Sequence, residues 1–86
     1  MNRDEAKSML LDTLLSLQLI SPAERAAATG AGADDILLSG LGIDSMTVVD
    51  LCMDIEQKTG RELRVEELID HPTVDQLAAH LAEAMK

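Results

Sequence analysis

The sequence predicts an all-α domain, and three observations carry that expectation. The 86 residues include no Phe, Trp or Tyr, so the core has to be built from Leu, Ile, Val, Met and Ala, which suits packed helices better than sheets rich in aromatic and β-branched residues. Apolar residues recur at helical spacing from Arg3 to Leu19, from Ser45 to Thr59 and beyond Thr73. Ser21-Pro22-Ala23-Glu24 and Thr73-Val74-Asp75-Gln76 each have the form of a capping box. A chain of this length is expected to form one domain over residues 1–86 and to bury roughly 60–65% of its unfolded surface, with no sizeable internal cleft.

In the first helix, Asp4 and Glu5 occupy the opening turn, where acids suit the helix dipole. Ala6, Met9, Leu10, Leu14 and Leu17 form one apolar face, and Leu11, Leu15 and Leu19 form a second stripe on the opposite side. The next loop is expected to fold back over that stripe; the alternative is a docking face for a partner or a second copy. Ser21-Pro22 then starts a short helix through about Ala28. Gly30 and Gly32 make Thr29 to Ala33 a flexible break, after which Ile36 and one or both of Leu37 and Leu38 are expected to tuck onto the bundle.

On the helix from Ser45, the residues Val48, Val49, Leu51, Cys52 and Ile55 fall on one apolar arc, while Thr47, Asp50, Asp54 and Gln57 share the opposite side. Met46 sits at the border, and Glu56 falls inside the apolar arc, where nothing in the pattern accounts for it. Gly60 supplies the left-handed residue that closes this helix. Glu66 to Asp70 is long enough for about one helical turn. His71-Pro72 ends it, because the residue before proline is pushed out of helical geometry. Val74, Leu77, Ala78, Leu81, Ala82 and Met85 make the inner face of the last helix.

Sixteen acidic against seven basic residues give a net charge of −9, which argues against nucleic acid and for partners with basic surfaces. The single Cys52 cannot form an internal disulfide, and its place on the packing arc reads as a small hydrophobe. Asp12, Thr13, Ser16 and Gln18 interrupt the first apolar run, so neither a signal-peptide core nor a membrane span is expected. A cytoplasmic monomer is the expectation. His71, His80 and Cys52 have no metal-ligand spacing.

The chain is organised around Leu38-Ser39-Gly40-Leu41-Gly42-Ile43-Asp44-Ser45-Met46, a two-glycine loop running into a helix. Asp44 has the short side-chain acceptor of an N-cap, which leaves Ser45 as the first helical residue with its hydroxyl free and pointing to solvent. A helix start also favours a phosphate ester there, through unpaired N–H groups and the positive end of the dipole. Serine at a helix start often serves only as the cap, but here Asp44 competes for that role. A hydrolase nucleophile is excluded, since there is no Gly-x-Ser-x-Gly elbow and no base oriented by a third group.

Gly42-Ile43-Asp44-Ser45-Met46 resembles the Gly-x-Asp-Ser-Leu signature of the acyl carrier and peptidyl carrier protein family, with Met in the Leu place. Asp70-His71-Pro72-Thr73-Val74 is similar to the His-Pro-Thr stretch before the last helix of modular carrier domains. The resemblance implies a four-helix carrier-protein bundle with a long first loop and a short third helix. It implies that Ser45 carries 4′-phosphopantetheine, whose thiol holds an acyl or aminoacyl group as a thioester. It further implies a non-catalytic shuttle, modified by a phosphopantetheinyl transferase and served by a loading ligase, synthase or transferase with a basic docking surface. Met46, Asp50 and Asp54 become the candidate partner contacts. The cargo class stays open between fatty acid, polyketide and peptide-synthetase pathways and free-standing aminoacyl carriers. A second function class is an acidic helical adaptor docking through Leu11, Leu15 and Leu19, with Ser45 unmodified.

Overall fold

A computed structural model describes residues 2–28, 35–41 and 44–84 of the chain. The expected break at Thr29 to Ala33, together with Gly42, Ile43 and Met85, lies outside the described residues. Among the described residues the elements are α1 (Arg3–Ser16), α2 (Pro22–Ala27), a 3₁₀ turn (Leu38–Leu41), α3 (Ser45–Thr59), α4 (Val65–Asp70) and α5 (Val74–Ala84). The bundle is all-α as expected, with short α2 added to the four helices of the resemblance.

Side-chain caps fix the helix starts. Asn2 accepts the Glu5 N–H at 2.8 Å, and the Glu5 carboxylate accepts the Asn2 N–H at 3.3 Å. Ser21 and Glu24 form the same reciprocal pair at α2, at 3.1 and 3.0 Å. At α5 the Thr73 hydroxyl accepts the Gln76 N–H at 3.1 Å. Gly60 closes α3 at φ 73°, in the left-handed region where a side chain is disfavoured.

The first helix stops short of the expected Leu19. Gln18 adopts φ 62°, the Leu19 N–H bonds the Leu14 carbonyl at 2.9 Å and the Gln18 N–H bonds the Leu15 carbonyl at 3.0 Å. This is a Schellman closure built on glutamine, and without glycine at that place the sequence carries no stop signal.

The core is aliphatic. Ala6, Leu10, Leu11 and Leu14 of α1 pack with Leu51 and Ile55 of α3 and with Val74, Leu77, Ala78 and Leu81 of α5; Ile20, Ala28, Leu38 and Leu63 complete it from the connections. Leu11 is fully buried, and Leu15 and Leu19 are partly buried against the same cluster, so the second leucine stripe is covered rather than open for docking. Thr13 is buried as well: its hydroxyl donates to the Met9 carbonyl at 3.0 Å and accepts from Lys58 Nζ at 2.7 Å, which ties α1 to α3. Lys7 to Asp75 at 2.7 Å joins α1 to α5, and Arg25 to Asp12 at 2.6 Å holds α2 on α1.

The loop before α3 is anchored to the start of α5. Leu38 donates its N–H to the Pro72 carbonyl, and Val74 donates to the Ile36 carbonyl, each at 2.9 Å. Leu37 and Thr73 thus form an isolated antiparallel bridge. Ile36 is half-buried and Leu38 buried, whereas Leu37 turns outward.

Candidate functional site

Asp44 is the N-cap of α3, and the reason is local. Its extended backbone lets Oδ1 accept the Thr47 N–H at 2.8 Å, while its carbonyl accepts the Val48 N–H at 2.9 Å. Hydrogen bonds from Thr47, the backbone N–H first, hold the Asp44 carboxyl below its ordinary value, so it is ionised at neutral pH. Ser45 follows as the first residue of α3 and is exposed. Its hydroxyl makes no hydrogen bond among the described residues, so it is available for esterification while Asp44 does the capping. A phosphate joined there would sit at the positive end of a 15-residue helix.

Below Ser45 the exposed face of α3 is more apolar than the sequence implied. Met46, Val49 and Met53 are 78, 52 and 54% exposed, and with exposed Asp50 they fall within about 100° of the helix circumference. Val49 therefore does not belong to the packed arc assigned to it. Only Leu51 and Ile55 of α3 are fully buried, with Val48 and Cys52 half-buried, because the core reaches just one narrow side of this helix. Asp54 is half-buried and paired with Lys58 at 3.1 Å, so of the two candidate acids Asp50 presents the freer carboxylate. Glu56 faces solvent. Partial burial, then the nearby Glu67 carboxylate, raise the Cys52 thiol above its ordinary value, which keeps it protonated and argues against a second thiol carrier.

An apolar groove of about 330 Å³ opens on the surface between α3 and α4. Its walls are Val48 and Leu51 of α3, Val65, Leu68 and Ile69 of α4, and Leu38 and Pro72. The gap exists because α4 is a six-residue helix that places no side chain fully inside the core. Val48 lies one turn from Ser45, about 4.5 Å along the helix axis, so the groove starts beside the serine.

Sequence reasoning also missed a polar cluster behind α4. Glu67 accepts Arg61 Nη2 at 2.7 Å and His80 Nε2 at 2.8 Å on one oxygen, and the Arg64 N–H at 2.7 Å on the other. The His80 ring stacks on His71 with centroids 4.1 Å apart. Burial alone would raise the Glu67 carboxyl, but the bonds from His80, Arg64 and Arg61, with the Arg61 charge, outweigh it and bring it down to about 2. These partners are 3 to 13 residues apart, and no local pattern announces them.

The site is thus an exposed serine hydroxyl on the first turn of a helix that a neighbouring aspartate caps. The chain belongs to the phosphopantetheine attachment site family, whose pattern matches residues 17–81, and within it to the acyl and peptidyl carrier proteins. It is 38% identical over 76 residues to an acyl carrier protein of Streptomyces coelicolor, covering 88% of this chain and 82% of that protein. It is 32% identical over 80 residues to nonribosomal peptide synthetase 2 of Gibberella zeae, covering 93% of this chain, and 40% identical over 68 residues to erythronolide synthase EryA3 of Saccharopolyspora erythraea, covering 73%. The chain spans about 2% of the length of each of these two synthases. No solved structure gives a significant match. The prosthetic group of the family is 4′-phosphopantetheine, and an exposed, unbonded serine hydroxyl at a helix start fits its attachment. Among the described residues no helix is long and apolar enough to cross a membrane.

Proposed function

We propose that Ser45 is the attachment point and that this chain, as one domain, holds an acyl or aminoacyl group for partner enzymes without itself catalysing its transfer. When bound, the group supplies a thiol that carries cargo as a thioester. The chain's own residues do the rest. Asp44 caps α3 and so releases the Ser45 hydroxyl from backbone duty. Leu51 and Ile55 anchor α3 in the core, which fixes where the serine points. Met46, Val49, Asp50 and Met53 form the face offered to partners, which fits an enzyme surface with an apolar patch and a basic rim. Exposed ion pairs at such a rim contribute about 0–1 kcal/mol each, suited to binding that must also release.

The observation that carries this reading is the exposed Ser45 hydroxyl beside a separate capping residue. The test is intact mass before and after incubation with coenzyme A and a broad-specificity phosphopantetheinyl transferase, alongside Ser45→Ala. The native chain gains one phosphopantetheine and the variant gains none. No gain in a folded native sample with a working control carrier and no arm already attached, or an equal gain in the variant, refutes the assignment. Loading assays with acyl and aminoacyl donors then separate the cargo classes.

A further inference from the structure

The segment that walls the groove is held differently from the rest of the bundle. Leu63 before it is 4% exposed, and Pro72 and Val74 after it are pinned through the bridge to Ile36 and Leu38. Between those anchors α4 contributes only half-buried Leu68 to the apolar cluster, while Val65 and Ile69 are 45 and 71% exposed. Hydrophobic burial therefore does little to seat this helix.

Polar bonds do more. Arg64, which bonds Glu67, adjoins α4, whereas Arg61 precedes buried Leu63 and donates its N–H to Thr59 Oγ1 at 3.2 Å, so its bond to Glu67 ties α4 only to its own entry from α3. Among the described residues, the His80 bond is the one hydrogen bond from α4 to another helix. The carboxylate faces Arg61 from the connection, His80 from α5 and the Cys52 thiol from α3, and His71 backs His80. The Glu67 and His80 side chains are 17 and 26% exposed, shielded enough for a charge-assisted bond to count and close enough to water for it to exchange.

We infer that the Glu67–His80 hydrogen bond is a latch holding α4 against the groove, and that α4 opens as a unit when the bond breaks while α1, α3 and α5 stay packed. Opening would widen the groove beside Val48 and Leu51 by moving the wall formed by Val65, Leu68 and Ile69. The device works whether or not Ser45 carries its arm, so it stands apart from the attachment assignment.

The test is residue-resolved amide hydrogen exchange on the unmodified chain, in native protein, His80→Phe and His80→Gln. Phe keeps an aromatic ring against His71 but loses the donor; Gln keeps a donor where Nε2 lies. His80→Phe should speed exchange of the Ile69, Asp70 and His71 amides about tenfold, with the buried-face amides of α1 and α5 changing less than about threefold, and His80→Gln should restore α4 to within about threefold of native. Equal acceleration in α4, α1 and α5 would show general destabilisation and overturn the latch. Unchanged α4 exchange in His80→Phe, or His80→Gln behaving like His80→Phe, would overturn it as well. If His80→Phe fails to fold, Glu67→Ala replaces it, with the same regional contrast deciding.

Discussion

Replacing Ile55 by Ala asks how firmly the serine-bearing helix is seated. Ile55 is fully buried on α3, next to Leu51 one turn earlier. The change removes three carbons, worth about 2.4 kcal/mol at ~0.8 kcal/mol per buried methylene. The residual cavity adds to that, giving a loss of about 3–4 kcal/mol. For 86 residues the total is roughly 4–13 kcal/mol, so the loss takes a large share of the stability. The chain lacks Trp and Tyr, so urea unfolding is followed by helical circular dichroism. The midpoint should fall by about 2–3 M with unchanged slope. Glu56→Ala, one residue on and exposed, should stay within about 0.5 kcal/mol. A loss below about 1 kcal/mol at Ile55 would mean that this side of α3 is not packed, and the argument for a fixed Ser45 direction would fail.

Two further predictions concern backbone and charge. Gly60→Ala, at φ 73° with nothing within 4 Å of the added Cβ, should cost about 1 kcal/mol through backbone strain alone; Gln18→Gly, at φ 62°, should change stability in the opposite direction, both read as unfolding midpoints. Because the folded Glu67 carboxyl lies at about 2 against an ordinary 4.5, its stabilisation is present above pH 4.5 and is lost as pH falls toward 2. Glu67→Gln should therefore lower the neutral-pH melting temperature by roughly 4–15 °C, from about 1–2 kcal/mol after allowance for solvent screening. That gap should close on acidification through this window, and a gap independent of pH would refute the assignment.

What was legible in the sequence is what is local. The caps at Asp44 and Ser21 bridge three residues, so their partners are visible in any short window, and Ser45 follows from the cap beside it and from the carrier signature. The burial of Leu11 was legible as one of two alternatives, and the packing of α1 decided it. The Gln18 closure was not, since glutamine is an uncommon residue in left-handed geometry. Nor was Val49, because a wheel shows which residues share a side but not how far the neighbouring helices reach around it. The groove and the Glu67–His80 bond depend on where α4 rests against α3 and α5, an outcome of tertiary packing.

The same packing divides α3 along its length. Toward its end Ile55 is buried, Lys58 bonds Thr13 on α1, and Gly60 closes the last turn. At its start Ser45, Met46, Val49 and Asp50 all face solvent. One half anchors the helix and the other is spare surface, so changes at the two ends should separate. Substitutions at Met46 or Val49 should alter loading by a partner enzyme while leaving the unfolding free energy within about 0.5 kcal/mol of native. Those at Leu51 or Ile55 should shift stability first and loading only in proportion to the unfolded fraction. Under the proposed function, a carrier gripped by successive enzymes gains from this division, because recognition can vary without loosening the anchor.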